Sequence, residues 1–141
     1  MRHVVERLDR FAPGTRRIVR VGGREIGVFR VGDRLFAVRN RCPHQGGPLA
    51  LGRVFPRIVS TSPGEVELAD SSLIRCPWHG WHWDMQTGEP YAPDDPRVRS
   101  YAVSVMRGEA ILCARRREEG EPFVAETFSV GVEDDYVVLE A

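Results

Sequence analysis

The 141-residue chain has little cysteine, with three residues, and no excess charge, since twenty basic and twenty acidic residues cancel. Three thiols cannot build a disulfide scaffold and suit a reducing cytoplasm. The balanced charge gives no global attraction to nucleic acid or to an anionic membrane. No apolar run approaches the roughly 18 residues of a membrane span. The opening stretch MRHVVERLDRFAPG alternates charge with short apolar pairs and lacks an apolar h-region, so no secretory signal is expected. Helical periodicity is scarce too: no stretch holds it over three turns, although VVERLDRF suits a brief helix. A 42% hydrophobic share and this length suit one domain with its own core. The expectation is a single soluble cytoplasmic domain.

What remains is β-like. RRIVRV (16–21), REIGVFRV (24–31) and RLFAVRN (34–40) are short and rich in Val, Ile and Phe. Gly22-Gly23 and Gly32-Asp33 between them suit tight hairpin turns. Further on, YAVSVMRGEAILCA (101–114) and FSVGVEDDYVVLEA (128–141) share an aromatic start, alternating valines, a polar turn and an apolar return, which predicts a repeated hairpin. Cys113 then falls on a return strand as a buried free thiol. Residues 55–73 look irregular, broken by Pro56, Pro63 and Gly64, with room for a short strand at 65–69. The charge run RRREEGE (115–121) reads as a solvated loop. His3, near the start, is expected to fray.

The rare chemistry is concentrated in two loops, CPHQGGPL (42–49) and CPWHGW (76–81). Each follows a predicted strand, and each carries Cys, Pro, a His two or three residues after the Cys, and Gly. Cys42 with His44 and Cys76 with His79 therefore offer two thiolates and two imidazoles from two similar turns. Two such loops meeting tip to tip would form a four-ligand pocket. Pro43 and Pro77 stiffen each loop after its first donor. The glycines of both loops let the backbone turn tightly and bring N–H groups toward a bound centre.

These loops resemble those of the Rieske iron–sulfur proteins, whose motifs read C-x-H-x-G and C-x-x-H-G. The match runs over 42–49 and 76–89, including the D…TG after the second loop, and extends more loosely over the flanking strands. One departure is the 31 residues between His44 and Cys76, longer than the family's usual connection, which marks 55–73 as an added surface excursion. The resemblance implies one [2Fe–2S] cluster, with Cys42 and Cys76 on an inner iron and His44 and His79 on an outer one. Two ferric ions, two sulfides and two thiolates sum to zero, so such a centre accepts an electron more readily than an all-cysteine cluster. Respiratory-type members carry a disulfide at the positions of Gly47 and Trp78, and hydroxyl donors where this chain has Trp81 and Trp83. Their absence predicts the low end of the Rieske range, roughly −150 mV rather than near +300 mV.

The resemblance also implies an all-β fold: an antiparallel β-sandwich base (1–40 and 92–141) carrying a small cluster-binding subdomain (41–91). Trp78, Trp81 and Trp83 read as packing residues that keep water from the cluster, and His82 as a strand residue outside it. Arg39, Arg41 and Arg75 flank the loops, either as a basic collar for an acidic partner or as ordinary surface arginines. A complete oxygenase would need a second iron site of two histidines and a carboxylate; only His3 and His82 remain, on unrelated segments. GGREIG has the wrong spacing for a dinucleotide fingerprint. The chain alone should pass single electrons and transform no substrate, as a Rieske-type ferredoxin between a reductase and a terminal oxygenase. The alternatives are a tightly bound subunit of a larger oxidoreductase and a structural Cys2His2 zinc module.

Overall fold

A computed structural model describes residues 2–92, 94–117, 123–124 and 129–141. Ten strands and one helix appear in the order β1 (Arg2–Arg7), β2 (Arg16–Val21), β3 (Arg24–Val31), β4 (Arg34–Arg39), β5 (Arg53–Ser62), β6 (Glu65–Arg75), β7 (His82–Asp84), β8 (Ser100–Arg107), α1 (Gly108–Arg117), β9 (Phe123–Val124) and β10 (Asp135–Glu140). Seven strands form one sheet in the order β2-β3-β4-β8-β10-β1-β9, and three form a second, β5-β6-β7. Every pairing is antiparallel except β1 with β9. The all-β expectation holds.

The glycine turns act as the sequence predicts. Gly22 and Gly23 take φ of 55° and 77°, and Val21 pairs directly with Arg24, so a two-residue left-handed turn joins β2 to β3. β10 lies inside the large sheet and is buried on both faces. Val137 and Leu139 enter a core with Val5, Phe11, Ile26 and Val28, whereas Tyr136 and Val138 enter another with Val4 and Ile111. A third core joins the two sheets: Phe29, Phe36 and Val38 of the large one meet Ile74 and Trp83 of the small one, with both loop cysteines among them.

Several sequence expectations are overturned. The first expected C-terminal hairpin is a strand followed by a helix. At α1 the backbone of Gly108 packs so closely that an added Cβ would overlap the Gly131 carbonyl oxygen. Gly108 and Ile111, three apart, are buried, while Cys113 is exposed. EAILCA is too short for its apolar order to distinguish strand from helix, and one buried residue per turn decided the outcome. The second expected hairpin is reduced to β10 after a turn at 132–133; Phe128 lies outside the described residues. Of the charge run expected as a loop, 115–117 belong to α1 and 118–121 lie outside the described residues. VVERLDRF forms the end of β1 and one 3₁₀ turn at Leu8–Arg10. His3 is not frayed, since β1 pairs it with Leu139 on one side and Val124 on the other.

Residues 55–73 are not irregular either. They lie within the β5–β6 hairpin, whose ladder runs from Arg53↔Arg75 to Ser62↔Glu65. The prolines fit for positional reasons. Pro56 sits on an edge strand beside a register shift, where a missing N–H is tolerated. Pro63 shares the turn with Gly64, whose φ is 84°.

Candidate metal centre

Both loops leave the ends of strands and close in the same way. In the first, the Cys42 N–H donates to the Gly47 carbonyl (2.8 Å) and the Gly46 N–H to the Cys42 carbonyl (2.8 Å). In the second, the Cys76 N–H donates to the Trp81 carbonyl (2.8 Å) and the Gly80 N–H to the Cys76 carbonyl (3.0 Å). The offsets of four and five residues are identical, and Gly46 and Gly80 take φ of 80° and 74°, a region other residues enter only with strain. The arginine preceding each cysteine folds over its loop's closing glycine. A Cβ on Gly46 would lie 3.5 Å from Arg41 Nε, and one on Gly80 would lie 2.9 Å from Arg75 Nη2.

The loops bring like donors together. Cys42 and Cys76 are both buried, and their side chains interact. Burial, and then the Cys76 side chain, push the Cys42 thiol above its ordinary value, while the N–H groups of His44 and Gln45 donate to the sulfur and oppose this. The rings of His44 and His79 stand edge to face, centroids 4.7 Å apart. Trp81 stacks flat on His44 at 3.9 Å and 14°. His44 Nδ1 is buried without a hydrogen-bond partner, although such an atom normally finds one. An orphaned ring nitrogen beside a second imidazole is what a metal-binding histidine looks like when only protein atoms are considered.

Among the described residues no three Cys, His, Asp or Glu side chains are gathered to hold a single ion. A structural zinc would need such a group. A two-iron centre needs only two donors on each metal, and a sulfur pair beside an imidazole pair suits it. On one side the Cys76 sulfur is closely covered: a Cβ on Gly47 would sit 3.1 Å from Cys76 Sγ and 3.0 Å from Trp78 Cδ2. Positions 47 and 78 are thus in contact, and neither is cysteine.

A family model for the Rieske [2Fe–2S] domain matches residues 1–102. The chain belongs to this family. Among its relatives, ferredoxin CarAc of Metapseudomonas resinovorans is 32% identical over 107 residues, spanning 74% of this chain and 86% of that one. The ferredoxin of carbazole 1,9a-dioxygenase from Nocardioides aromaticivorans IC177 superimposes with a TM-score of 0.53 at 26% identity, covering 95% of this chain and 93% of that one. A chain from the complex of reduced oxygenase and oxidized ferredoxin in carbazole 1,9a-dioxygenase gives 0.54 at 30% identity, covering 73% and 92%. This Rieske protein is therefore an electron carrier whose cofactor is a [2Fe–2S] cluster.

The surroundings hold residues that sequence reading missed. Asn40 anchors the first loop, accepting from the Ala50 N–H (2.7 Å) and donating to Glu25 (3.0 Å). Asp84, buried at the end of β7, accepts from the N–H groups of Gln86 (2.8 Å) and Thr87 (3.1 Å) and so shapes the D…TG turn. That motif was visible in the sequence; its turn-forming task was not. Trp83 is fully buried and donates Nε1–H to the Pro96 carbonyl at 2.9 Å. His82 lies on β7 against Phe55 and Tyr91; burial, then Arg75, lowers its pKa.

Proposed function

We propose that this Rieske protein carries single electrons from a reductase to a terminal oxygenase, with Cys42 and Cys76 on the inner iron and His44 and His79 on the outer. The observation that supports it best is the sorting of donors, buried sulfurs together and rings together, with His44 Nδ1 buried and unsatisfied. The bound cluster stores one electron. Around it, the His44 and Gln45 N–H groups offset charge on the Cys42 sulfur, Trp81 fixes the ring plane of His44, and Trp78 covers Gly47. His79 is exposed, which gives a partner a short path to the imidazole side.

The relatives named as ferredoxins, one recorded in complex with its oxygenase, support the choice of partners. Residues 41–91 are read as the cluster-binding subdomain, set between base segments 1–40 and 92–141. Cytoplasmic residence fits an exposed free thiol at Cys113; no helix among the described residues is long and apolar enough to cross a membrane. A permanently bound subunit is less well supported, because relatives that the chain matches over most of their length are named ferredoxins.

The test is spectroscopic. Iron-loaded protein should show a rhombic EPR signal on one-electron reduction, with two imidazole nitrogens coupled to the spin. Trp83 spends its donor on Pro96, so no indole N–H from that residue reaches a cluster sulfur, and the midpoint should lie near roughly −150 mV. A midpoint well above zero would overturn the tuning argument, and a signal without nitrogen coupling would overturn the ligand assignment.

A further inference from the structure

The chain contains no lysine, so all twenty basic residues are arginine. Six of them surround the loop tips. Arg39, Arg41, Arg97 and Arg99 line the depression beside Pro43 and His44. Arg53 and Arg75 line the one beside Trp78 and His79. No carboxylate lines either depression. Glu89 reaches Arg97 at 3.7 Å; among the described residues none of the other five has an ion-pair partner. A neutral protein therefore carries a locally positive tip.

Two details argue that this clustering is more than ordinary surface charge. Arg53 and Arg75 are exposed and stand directly opposite each other across β5 and β6, an arrangement of like charges that weakens a sheet. Arg41 and Arg75 also occupy equivalent places, each over the closing glycine of its own loop, so positive charge sits on both sides of the histidine pair. The second depression also presents exposed apolar side chains, Trp78 at 57% and Leu51 at 65%.

We propose that this tip docks the acidic face of a redox protein, whose carboxylates take up the arginine collar while Trp78 and Leu51 of the second depression give it an apolar contact beside His79. Arginine suits the task because its planar fork meets a carboxylate with two parallel hydrogen bonds. Such complementarity raises the encounter rate and orients the partner so that the imidazole side faces it. The proposal rests on the electron-carrier reading and adds the charge of the partner.

The test compares two protein oxidants of opposite charge, plastocyanin as the acidic one and cytochrome c as the basic one. Each is mixed anaerobically with the reduced, cluster-loaded protein at ionic strengths from about 0.01 to 0.15 M. The rate with plastocyanin should fall at least about tenfold over that range, while the rate with cytochrome c stays level or rises. The double variant Arg53→Gln, Arg99→Gln, one arginine from each depression, should slow plastocyanin severalfold at low salt and keep the wild-type rate with a neutral quinone, which separates docking from driving force. Arg107→Gln, at the far end of β8, should behave as wild type. Equal salt responses for the two oxidants, or an unchanged double variant, overturn the collar and leave the carrier reading standing. A loaded protein that accepts no electron overturns both.

Discussion

Gly52 marks the closest approach between the two segments that carry the loops, and Gly52→Ala tests how tightly they are set. An added Cβ would lie 2.0 Å from the Arg75 carbonyl oxygen, 2.9 Å from the Leu49 carbonyl oxygen and 3.0 Å from the Arg75 carbonyl carbon. Ordinary contact begins at 3.4 Å, and the atoms in the way are backbone, which cannot rotate aside. The backbone of Gly52 itself is extended, with φ of −72°, so alanine costs nothing in conformation. All of the penalty is steric. Relief requires Arg75 to move, and Cys76 is the next residue, so the sulfur pair opens with it. Such overpacking costs about 3 kcal/mol, a fall of about 10 °C in Tm, with a lower iron content per chain. Gly64→Ala is the control: its φ of 84° is unfavourable, yet no atom lies within 4 Å, so it should lose only about 1 kcal/mol and keep its iron. Thermal unfolding followed by circular dichroism, with iron analysis of the same samples, measures both. A Gly52→Ala protein as stable as Gly64→Ala and fully loaded would refute the packing argument.

Cys42→Ser or Cys76→Ser should yield colourless protein without iron, as visible absorption and elemental analysis would report; retained red-brown colour would contradict the assignment. Trp83→Phe leaves a cavity in the core joining the sheets and removes the hydrogen bond to the Pro96 carbonyl, so urea unfolding should show a loss of about 2 kcal/mol. A loss below about 0.5 kcal/mol would mean the indole is not packed there. The Arg17 guanidinium holds the Glu6 carboxyl below its ordinary value, first through a hydrogen bond of 2.6 Å and with further help from the Arg7 N–H. A depressed carboxylate contributes stability above its unfolded pKa and loses that contribution as pH falls through the folded pKa, so part of the acid destabilisation below about pH 4.5 belongs to this pair. Arg17 is 39% exposed, which limits the effect to about 0.5–1 kcal/mol. Glu6→Gln should be less stable at pH 7 by that amount and converge with wild type in acid; parallel curves would show that the pair contributes nothing.

The chemistry of the centre was written in short local stretches. C-P-H and C-P-W-H fix donors, stiffening prolines and turn glycines within a few covalent bonds, so no long-range information was needed to recognise them. Gly22-Gly23 was legible for the same reason, because a left-handed turn depends on the residues in it. Elsewhere the local pattern was ambiguous and distant atoms decided. EAILCA fits a strand or a helix; the contact of Gly108 with Gly131 and the burial of Ile111 made it a helix. Prolines in 55–73 suggested irregular chain, yet an edge position accommodates them. Arg97 and Arg99 are remote in sequence from the first loop, and only the pairing of β4 with β8 brings them beside Arg39 and Arg41. By itself, then, the sequence determined which donor side chains the two loops offer and how each loop turns, since both are set by neighbours along the chain. The tertiary structure alone decided how far apart the loops stand and what charge surrounds them, since contacts such as Gly52 against Arg75 exist only once separate segments have packed.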